Sequence, residues 1–421
     1  MSFETVSVIG LGYIGLPTAA MFASRKKNVI GVDVNQSAVD TINQGKIHIV
    51  EPELDMIVHA AVTEGYLKAT TTPEPADAFL IAVPTPFKKN TNGDIPEPDL
   101  AYIKAASQAI APVLKKGDLV ILESTSPVGA TEQMAEWLAM ARPDLSFPQT
   151  AGENADVNVA HCPERVLPGH VVRELVENDR VIGGMSARCS ERAVELYHTF
   201  VEGECVVTNA RTAEMAKLTE NSSRDVQIAF ANELSIICDK LDIDVWELIT
   251  LANRHPRVNI LQPGPGVGGH CIAVDPWFIV SKTPNEAKII HTARLVNDSK
   301  PDWVVDKVKL AILDFLQKNP NKTVKDITIA CYGLAFKPNI DDLRESPALE
   351  ITKDIAKMHS GLVIAVEPNI YQLPEKITSF ELKEINAALN EADINVLLVD
   401  HKEFYKIKPT SNIIDTKGIW K

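Results

Sequence analysis

The stretch Val6-Ser-Val-Ile-Gly10-Leu-Gly12-Tyr-Ile-Gly15 decides the fold of this chain. The short strand-like run leads into a Gly-x-Gly-x-x-Gly turn, and residues Thr18 to Ser24 after it are compatible with a helix. Glycines at this spacing allow a tight turn and close backbone approach, so that a pyrophosphate can lie on the helix N-terminus. The sequence therefore predicts a strand, a phosphate-binding turn and a helix.

The acidic residue that such a turn requires follows in the next apolar run, Val29-Ile-Gly-Val-Asp33. The Asp33 carboxylate at the end of this run can accept a hydrogen bond from a ribose 2′-hydroxyl. Neither Val34 nor Asn35 supplies a cation for a 2′-phosphate, so NAD is favoured over NADP. The alternative interpretation of Asp33 is a solvated acid at the end of a strand.

The rest of the chain alternates between two patterns. Apolar runs at Phe79 to Val83 and Leu119 to Leu122 continue the rhythm of βαβ units, whereas helical patterns occupy Ala213 to Leu241 and about Asp244 to Ala252. Strand-like runs return at Ile327 to Tyr332, Leu362 to Val366 and Val396 to Val399. We predict an α/β protein with an N-terminal Rossmann domain (1–208), a helical central domain (209–305) and a C-terminal Rossmann-like domain (306–421), both sheets being parallel.

Composition excludes several functional classes. The 421 residues include 42 Lys and Arg against 56 Asp and Glu, a net charge of −14, which disfavours binding to nucleic acid or to an anionic membrane. No run approaches the roughly 20 apolar residues of a membrane span, and no signal peptide is evident. The six cysteines include no C-x-x-C pair, so neither a disulfide framework nor a zinc site is expected. These features predict a soluble cytoplasmic protein.

Hydroxyl side chains follow two of the predicted strands. Val83-Pro-Thr85-Pro and Glu123-Ser-Thr125-Ser126-Pro each come directly after an apolar run. The carboxyl ends of parallel strands form the edge at which α/β proteins bind ligands. These hydroxyls are therefore candidate ligand contacts, although such residues also serve as helix caps.

One face of the long predicted helix carries Lys217, Asn221 and Arg224, at positions i, i+4 and i+7. A Lys and an Asn one turn apart can hold an oxyanion or a water molecule. A solvated polar face is the alternative, but the neighbouring residues are largely apolar.

Cys271 ends the segment Gln262-Pro-Gly-Pro-Gly-Val-Gly-Gly-His-Cys271, whose glycines and prolines predict a loop. A thiol presented by bare backbone is accessible, and nearby cations would lower its pKa and favour the nucleophilic thiolate. A cysteine is otherwise usually a small core residue. His270 is expected to orient the loop rather than bind metal, because no second ligand lies at a suitable spacing.

Two cations, Lys337 and Arg344, occur in the loop that follows the predicted strand ending at Tyr332. Cations in a loop after a strand suit the phosphates of a second nucleotide. A surface loop with unrelated charges is the alternative.

Together these motifs resemble the UDP-glucose/GDP-mannose dehydrogenase family over essentially the whole chain. Gly268-Gly-His-Cys271-Ile-Ala-Val-Asp275 is similar to its nucleophile loop, and Ala216-Lys217-Leu-Thr-Glu-Asn221 to its catalytic helix. Glu164, in Cys162-Pro-Glu164-Arg165-Val166, matches an acid that transfers protons and activates the hydrolytic water, which a threonine matching Thr125 helps to hold. The resemblance implies oxidation of a sugar C6 alcohol to a carboxylate with two NAD, through a cysteine thiohemiacetal and thioester. The implied catalytic residues are Cys271, Lys217, Asn221, Glu164, Asp275 and Thr125.

The resemblance also implies the binding residues. For the cofactor NAD they are Gly10, Gly12, Tyr13, Ile14, Gly15, Asp33, Thr85, Thr125, Ser126 and Arg344. For the sugar nucleotide they are Arg165, Val166, Lys217, Asn221, Arg224, His255, Arg257, Gly268, Phe336, Lys337 and Lys417. The arginine matching Arg257 reaches the site of a neighbouring subunit in the family, so a homo-oligomer, at least a dimer, is expected.

This sequence departs from the pattern of the family members that oxidise UDP-glucose, and the differences bear on the choice of substrate. Ile272-Ala-Val274 follows the cysteine where Phe-Pro-Lys or similar is usual, and Pro168 replaces a second glutamate. The motifs are closer to the branch that oxidises UDP-N-acetyl sugars for bacterial surface polysaccharides. The C2 epimer stays open, because only the shape of the pocket distinguishes it.

Two rival functions are considered. A β-hydroxyacid dehydrogenase also joins a Rossmann domain to a Lys-x-x-x-Asn helix, but it leaves Cys271 and the last hundred residues unexplained. A non-catalytic nucleotide-binding regulator would not need Lys217, Asn221 and Cys271 together. The dehydrogenase hypothesis further predicts that seven cations converge on one diphosphate-binding cleft, namely Arg165, Lys217, Arg224, Arg257, Lys337, Arg344 and Lys417.

Overall fold

The computed structural model describes residues 3–49, 51–88, 95–166, 169–269, 271–410 and 412–420. Pro168 and His270, whose roles were considered above, lie outside the described residues. The chain divides into two compact units. The first comprises Met1–Glu220 with Trp277–Lys282, and the second comprises Asn221–Pro276 with Thr283–Lys421.

The first unit is built on a sheet in which the described strands number eight, in the order β3-β2-β1-β4-β5-β6-β7-β8. Its strands are β1 (Thr5–Ile9), β2 (Asn28–Val32), β3 (Leu67–Thr70), β4 (Ala78–Ile81), β5 (Leu119–Leu122), β6 (Asn158–His161), β7 (Arg180–Gly184) and β8 (Cys205–Asn209). The first six run parallel, as predicted. β7 is antiparallel to β6 and parallel to β8, so the last two strands reverse direction, a feature that the sequence did not predict.

Helices cover both faces of this sheet. They are α1 (Gly15–Ser24), α2 (Gln36–Asn43), α3 (Leu54–Thr63), α4 (Ala101–Ile110), α5 (Ala130–Ala141), α6 (Pro148–Ala151), α7 (Val171–Glu177), α8 (Ala187–Tyr197) and the start of α9 (Ala210–Lys240). Every residue of β4 and β5 is buried. Strands covered on both faces need continuous apolar runs rather than alternation, which explains why these two runs were recognisable in the sequence.

The second unit contains a parallel sheet in the order β11-β10-β9-β12-β13, as expected for a second Rossmann-like domain. Its strands are β9 (Ile329–Tyr332), β10 (Val363–Val366), β11 (Glu381–Leu382), β12 (Ile394–Leu397) and β13 (Ile413–Asp415). The helices after α9 are α10 (Val245–Ala252), α11 (Asp275–Lys282), α12 (Lys288–Lys318), α13 (Pro347–Met358) and α14 (Ile385–Glu391). Of these, α11 belongs to the first unit from Trp277 onward.

Helices α9 and α12 each span 31 residues. The second half of α12 packs Val304, Val308, Ile312 and Phe315 into the core of the second sheet. The helix thus continues through position 305, where the sequence suggested a domain boundary, and past Pro301 in its interior. The three domain ranges given above remain a proposal.

In the described part of the chain, no helix combines the length and the apolar character needed to cross a membrane.

Candidate active site

The glycine turn leaves a short stretch of backbone open. Gly10 has a φ of +93°, and a Cβ on it would lie 2.6 Å from the Ala82 carbonyl oxygen. A Cβ on Gly15 would lie 1.8 Å from the Gly10 carbonyl oxygen, whereas one on Gly12 would meet no atom within 4 Å. The turn therefore depends on glycine at its two ends and presents exposed backbone at Gly12, where a pyrophosphate could approach the start of α1.

Asp33 lies beside this turn at the end of β2. One carboxylate oxygen accepts a hydrogen bond from the Leu11 N–H (2.9 Å) and the other accepts one from the Asn35 N–H (2.9 Å). Val34, the next residue, is 95% exposed and uncharged. The structure thus brings the glycines and Asp33 together as predicted, and the donor set fits the diphosphate and ribose of NAD.

The hydroxyls after β4 and β5 lie in two loops that are tied together, because Ser124 Oγ donates to the Val83 carbonyl oxygen (2.7 Å). Ser126 Oγ and Thr85 Oγ1 are buried and have no hydrogen-bond partner among the described residues. Buried hydroxyls are normally satisfied. The two orphaned hydroxyls therefore fit contacts that a bound cofactor would complete, whereas Ser124 is structural.

A buried carboxylate anchors α9 to the second of these loops. Glu214 accepts hydrogen bonds from the Gly129 N–H (2.6 Å), the Thr131 N–H (2.8 Å) and Thr131 Oγ1 (2.6 Å). Burial raises the pKa of Glu214. Lys217 follows one turn later on the same helix and is half-buried. This anchor could not be predicted from the sequence, because nothing local distinguishes Glu214 from a solvated helix residue.

Glu164 is buried, and both of its carboxylate oxygens accept a hydrogen bond. The Arg165 N–H donates to Oε1 (2.7 Å) and Arg180 Nη2 donates to Oε2 (2.8 Å). Arg165 also pairs through Nη2 with Glu220 (2.6 Å). A carboxylate with fixed oxygens in this position can orient a water molecule or hold a proton.

A second carboxylate shares the same guanidinium. Glu123 Oε1 lies 3.3 Å from Arg180 Nη1 and accepts a hydrogen bond from the Tyr197 hydroxyl (3.0 Å). Burial raises the pKa of Glu123 to about 7, against the opposing effect of Arg180. In the sequence Glu123 is only the first residue of a hydroxyl motif, and no role was predicted for it.

Cys271 is exposed, whereas Cys162, Cys189, Cys238 and Cys331 are buried and Cys205 is half-buried. Burial raises the pKa of Cys331 to about 12, as expected for an inert core thiol. The Asp275 N–H donates to the Cys271 carbonyl oxygen (2.9 Å), and Asn221 Nδ2 donates to Asp275 Oδ2 (2.5 Å). The turn that carries Cys271 is therefore attached to the predicted Asn221 on α9.

The glycines before Cys271 pack closely against the loop that follows β9. A Cβ on Gly268 would lie 2.4 Å from the Glu345 carbonyl oxygen and 2.9 Å from Phe336 Cβ, and one on Gly269 would lie 3.0 Å from the Phe336 ring. Side chains at either position would separate the two loops. The structure thus brings the Cys271 loop (residues 262–269 and 271–275) and Phe336 together, as the site prediction requires.

The remaining predicted contacts are less constrained. Arg344 binds Asp342 through two nitrogens (2.9 and 2.6 Å), and Lys417 Nζ lies 3.1 Å from Asp400. Arg224, His255 and Arg257 are exposed, and Val166 and Lys337 are half-buried. Convergence of the seven cations on one cleft stays a prediction, because they are distributed over both units.

Models of the UDP-glucose/GDP-mannose dehydrogenase family match most of the chain. The NAD binding domain matches residues 4–201, the central domain 211–299 and the UDP binding domain 330–421. The UDP-N-acetyl-D-mannosamine dehydrogenase of Yersinia pestis is 68% identical over 100% of both chains. An NDP-N-acetyl-D-galactosaminuronic acid dehydrogenase of Ralstonia nicotianae is 64% identical over 100% of this chain and 97% of its own.

A solved structure shows the same architecture. The UDP-D-ManNAc dehydrogenase of Pyrococcus horikoshii has a TM-score of 0.87 at 37% identity, covering 99% of this chain and 96% of its own.

Proposed function

The chain belongs to the UDP-glucose/GDP-mannose dehydrogenase family and is an NAD-dependent nucleotide-sugar dehydrogenase, and we propose that its substrate is UDP-N-acetyl-D-mannosamine. The C6 alcohol is oxidised to the carboxylate, giving UDP-N-acetyl-D-mannosaminuronate. The observation that carries the four-electron reaction is the exposed Cys271 at the end of a glycine loop bonded through Asp275 to Asn221. The choice of sugar is supported by the 68% identical relative.

NAD, when bound, accepts a hydride from the sugar carbon in each of the two oxidations. The residues that would hold it are the glycine turn, Tyr13, Ile14, Asp33 and the hydroxyls of Thr85, Thr125 and Ser126, with Arg344 as a further contact. The fixed orientation of the Asp33 carboxylate supports its role at the ribose.

The first oxidation requires removal of the alcohol proton and gives an aldehyde. A base near Lys217, Asn221 and Asp275 takes up this proton, and Lys217 and Asn221 stabilise the oxyanion that develops on the sugar oxygen. The Cys271 thiolate then attacks the aldehyde carbon, forming a C–S bond, and the oxygen takes up a proton. This thiohemiacetal gives up the second hydride and becomes a thioester.

Water hydrolyses the thioester and releases the carboxylate and the Cys271 thiolate. Glu164 receives the proton of the attacking water, which Thr125 helps to hold. The two hydrogen bonds that fix the Glu164 oxygens support a base of defined orientation.

The sugar nucleotide would be bound by Arg165, Val166, Lys217, Asn221, Arg224, Gly268, Phe336, Lys337 and Lys417, with His255 and Arg257 as further contacts. The close packing of Gly268 on Phe336 supports the joint use of the two loops. The domain division at 208 and 305 is part of this proposal, and the ranges of the three family models support it.

Homo-oligomerisation belongs to the same proposal. Helix α9 exposes an apolar stripe at Phe230 (51% exposed) and Ile237 (45%), which share one face at spacing i and i+7, and Leu241 (61%) follows directly after the helix ends. An apolar stripe on a surface helix marks an interaction site. A second copy of this chain would cover it and bring Arg257 near the neighbouring site. The product of the cytoplasmic enzyme would enter a bacterial surface polysaccharide such as enterobacterial common antigen.

A panel of nucleotide sugars tests the substrate. NADH formation is measured with NAD and UDP-ManNAc, UDP-GlcNAc, UDP-GalNAc, UDP-glucose or GDP-mannose. We expect kcat/KM for UDP-ManNAc to exceed each of the others by about tenfold or more, because a site that hydrogen-bonds a hydroxyl or amide discriminates strongly against its misplacement. A preference for UDP-GlcNAc, the C2 epimer of UDP-ManNAc, would identify that sugar nucleotide as the substrate instead.

A preference for UDP-GalNAc would support the second candidate that the Ralstonia relative favours, oxidation of an N-acetyl-galactosamine nucleotide. Activity on a β-hydroxyacid alone, with one NADH per substrate, would support the two-electron alternative.

A further inference from the structure

Two asparagines on one face of α9 hold the two ends of the Cys271 loop. Asn221 Nδ2 donates to Asp275 at the end of the loop (2.5 Å), and Asn232 Oδ1 accepts a hydrogen bond from the Gly264 N–H at its start (2.9 Å). The two asparagines are eleven residues apart on a continuous helix, which is about three turns and about 16 Å. The Asn221 contact belongs to the proposed site, whereas Asn232 has no role in it so far.

The segment Pro263-Gly264-Pro265 at the start of the loop has a single backbone donor, because proline lacks an N–H. That donor is the Gly264 N–H, and Asn232 accepts it. A single hydrogen bond to α9 therefore satisfies the backbone donor of this stretch. Its loss would leave a buried N–H without a partner, which is disfavoured.

Hydrogen bonds to Asn297, which in turn binds Asp225, fix the orientation of the Asn232 amide. Its Nδ2 donates to Asn297 Oδ1 (2.8 Å) on α12, and Asn297 Nδ2 donates to Asp225 Oδ1 (2.8 Å). Arg294 Nη1 donates to the same Asp225 oxygen (2.7 Å). Because the donor and acceptor of each amide are assigned by its neighbour, Asn232 must direct its oxygen toward Gly264.

All four of these polar side chains are 2% exposed or less. Apolar residues could fill the same space between two packed helices without the cost of burying polar groups. Both asparagine amides are hydrogen-bonded at oxygen and nitrogen, although Asp225 Oδ2 and Arg294 Nε have no partner among the described residues. Two buried amides that bond to each other in this way specify one geometry. The network thereby fixes the position of Asn232 Oδ1, which is the acceptor for the loop backbone.

We propose that Asn232, oriented by Asn297, is a positioning residue that fixes the start of the Cys271 loop and thereby places the Cys271 sulfur for attack on the aldehyde. The proposal rests on the proposed function for the role of Cys271. Asn232 touches neither substrate nor cofactor, and it acts through Gly264. Its loss therefore slows the step that needs the sulfur and spares the step that does not.

The test compares Asn232→Leu with two control variants. Asn232→Leu keeps the volume and removes the acceptor. Ser235→Ala removes a hydrogen bond to the backbone carbonyl oxygen of Asn232 and one with Lys300 from the same buried layer, without touching the loop. Asn232→Asp keeps an acceptor for Gly264 and serves as the conservative variant. Each purified full-length enzyme is mixed with NAD and UDP-ManNAc in a single turnover, and the two NADH phases are resolved.

We expect Asn232→Leu to slow the second NADH phase at least tenfold while the first phase and the Kd for UDP change by less than about threefold. Ser235→Ala should resemble the wild type, and Asn232→Asp should retain the second phase within about threefold. Equal rates of the second phase in Asn232→Leu and the wild type would overturn the proposal. Equal slowing of both phases would also overturn it.

Amide hydrogen exchange of the peptide covering residues 260–269 provides a readout that does not depend on the substrate. Exchange at Gly264 should accelerate at least tenfold in Asn232→Leu and stay within about twofold in Ser235→Ala. Unchanged exchange in Asn232→Leu contradicts the proposal even if no sugar is turned over, whereas an inactive wild type with the predicted exchange contradicts the proposed function alone. If Asn232→Leu does not fold, loss of the second phase in folded Asn232→Asp overturns the proposal.

Discussion

Cys271 combines exposure with a backbone that is attached on both sides. The Gly268 and Gly269 backbones pack on Phe336, and Asp275 binds Asn221. A thiol in such a turn can meet a substrate carbon without a large movement of its backbone, which is the requirement for nucleophilic catalysis.

Substitution of this cysteine separates the two halves of the reaction. Cys271→Ser should stall the cycle at the aldehyde level or trap a slowly hydrolysed ester, and Cys271→Ala should lower the rate of carboxylate formation by at least about a thousandfold, because the covalent step is lost. Product analysis by mass spectrometry gives the measurement. Cys205→Ser, at a half-buried cysteine outside the loop, serves as the control. Full turnover by Cys271→Ala would exclude the nucleophile role.

Asp33 is the residue that we expect to control the affinity for NAD. Asp33→Ala removes the carboxylate that is oriented by the Leu11 and Asn35 amides, and a hydrogen bond to a charged group contributes about 1.5–3 kcal/mol. The Kd for NAD, measured by titration calorimetry, should rise about ten- to a hundredfold. Asp40→Ala, on the exposed side of α2, should leave it unchanged. An unaltered Kd in Asp33→Ala would remove the ribose contact from the account.

At the scale of elements, the pair α9 and α12 buries charged groups as well as apolar ones. Lys300 is 2% exposed, its ammonium hydrogen-bonds Ser235, and it lies 3.7 Å from the centre of the Trp303 ring. Burial lowers the pKa of Lys300 to about 7, with Lys307 acting in the same direction and Asp239 opposing.

This burial makes helix packing depend on pH. Below about pH 7 Lys300 is charged in both the folded and the unfolded state, so the full penalty of burying a charge applies. Between about pH 7 and 10.5 the unfolded chain binds a proton that the folded one does not, so stability rises with pH.

Lys300→Met removes this group. The variant should be more stable than the wild type at pH 6, by at least about 1 kcal/mol since one pKa unit corresponds to about 1.4 kcal/mol, and the difference should narrow by pH 9.5. Urea unfolding at both pH values measures it, with Lys309→Met, at an exposed lysine on the same helix, as control. A difference that does not vary with pH would show that Lys300 is solvated.

Several elements were predictable because their signal is local. The β4 and β5 runs are wholly buried, and α9 has a long uninterrupted helical pattern. β7 was missed because Arg180–Gly184 contains a charged residue and two glycines, and β8 because it is largely exposed. Helix α12 was not predicted, since Pro301 in its interior removes a helix hydrogen bond. Packing of the following residues on the second sheet overrides that loss.

The residues of the candidate site also include some that the sequence predicts and some that it does not. The glycine turn, Asp33 and the Cys271 loop were predictable because each is a contiguous motif. Glu214 and Glu123 were not, because their partners lie far along the chain: Glu214 binds Thr131, and Glu123 lies beside Arg180 and Tyr197. A residue becomes a buried anchor through tertiary contacts, and a single sequence carries no local sign of them.

For the whole molecule, we expect the active protein to contain more than one copy of the chain. The double variant Phe230→Asp with Ile237→Asp places charges on the apolar stripe of α9, so we expect it to dissociate to monomers. Activity should fall below about 10% because Arg257 would no longer reach a neighbouring site. Sedimentation velocity and NADH formation measure the two effects.

Met56→Asp, at a side chain 66% exposed on α3, places a charge on an apolar residue away from the stripe and should leave the assembly intact. A wild-type protein that sediments as a fully active monomer would contradict the proposed oligomer.

The central claim is that one active site carries out both oxidations. The most direct test is the number of NADH molecules formed per UDP-ManNAc consumed by the wild-type enzyme, with NADH followed by absorbance and the sugar nucleotide quantified by chromatography. We expect a ratio of two, with the uronate as the sole accumulated product. A ratio of one, with aldehyde or another two-electron product, would contradict it.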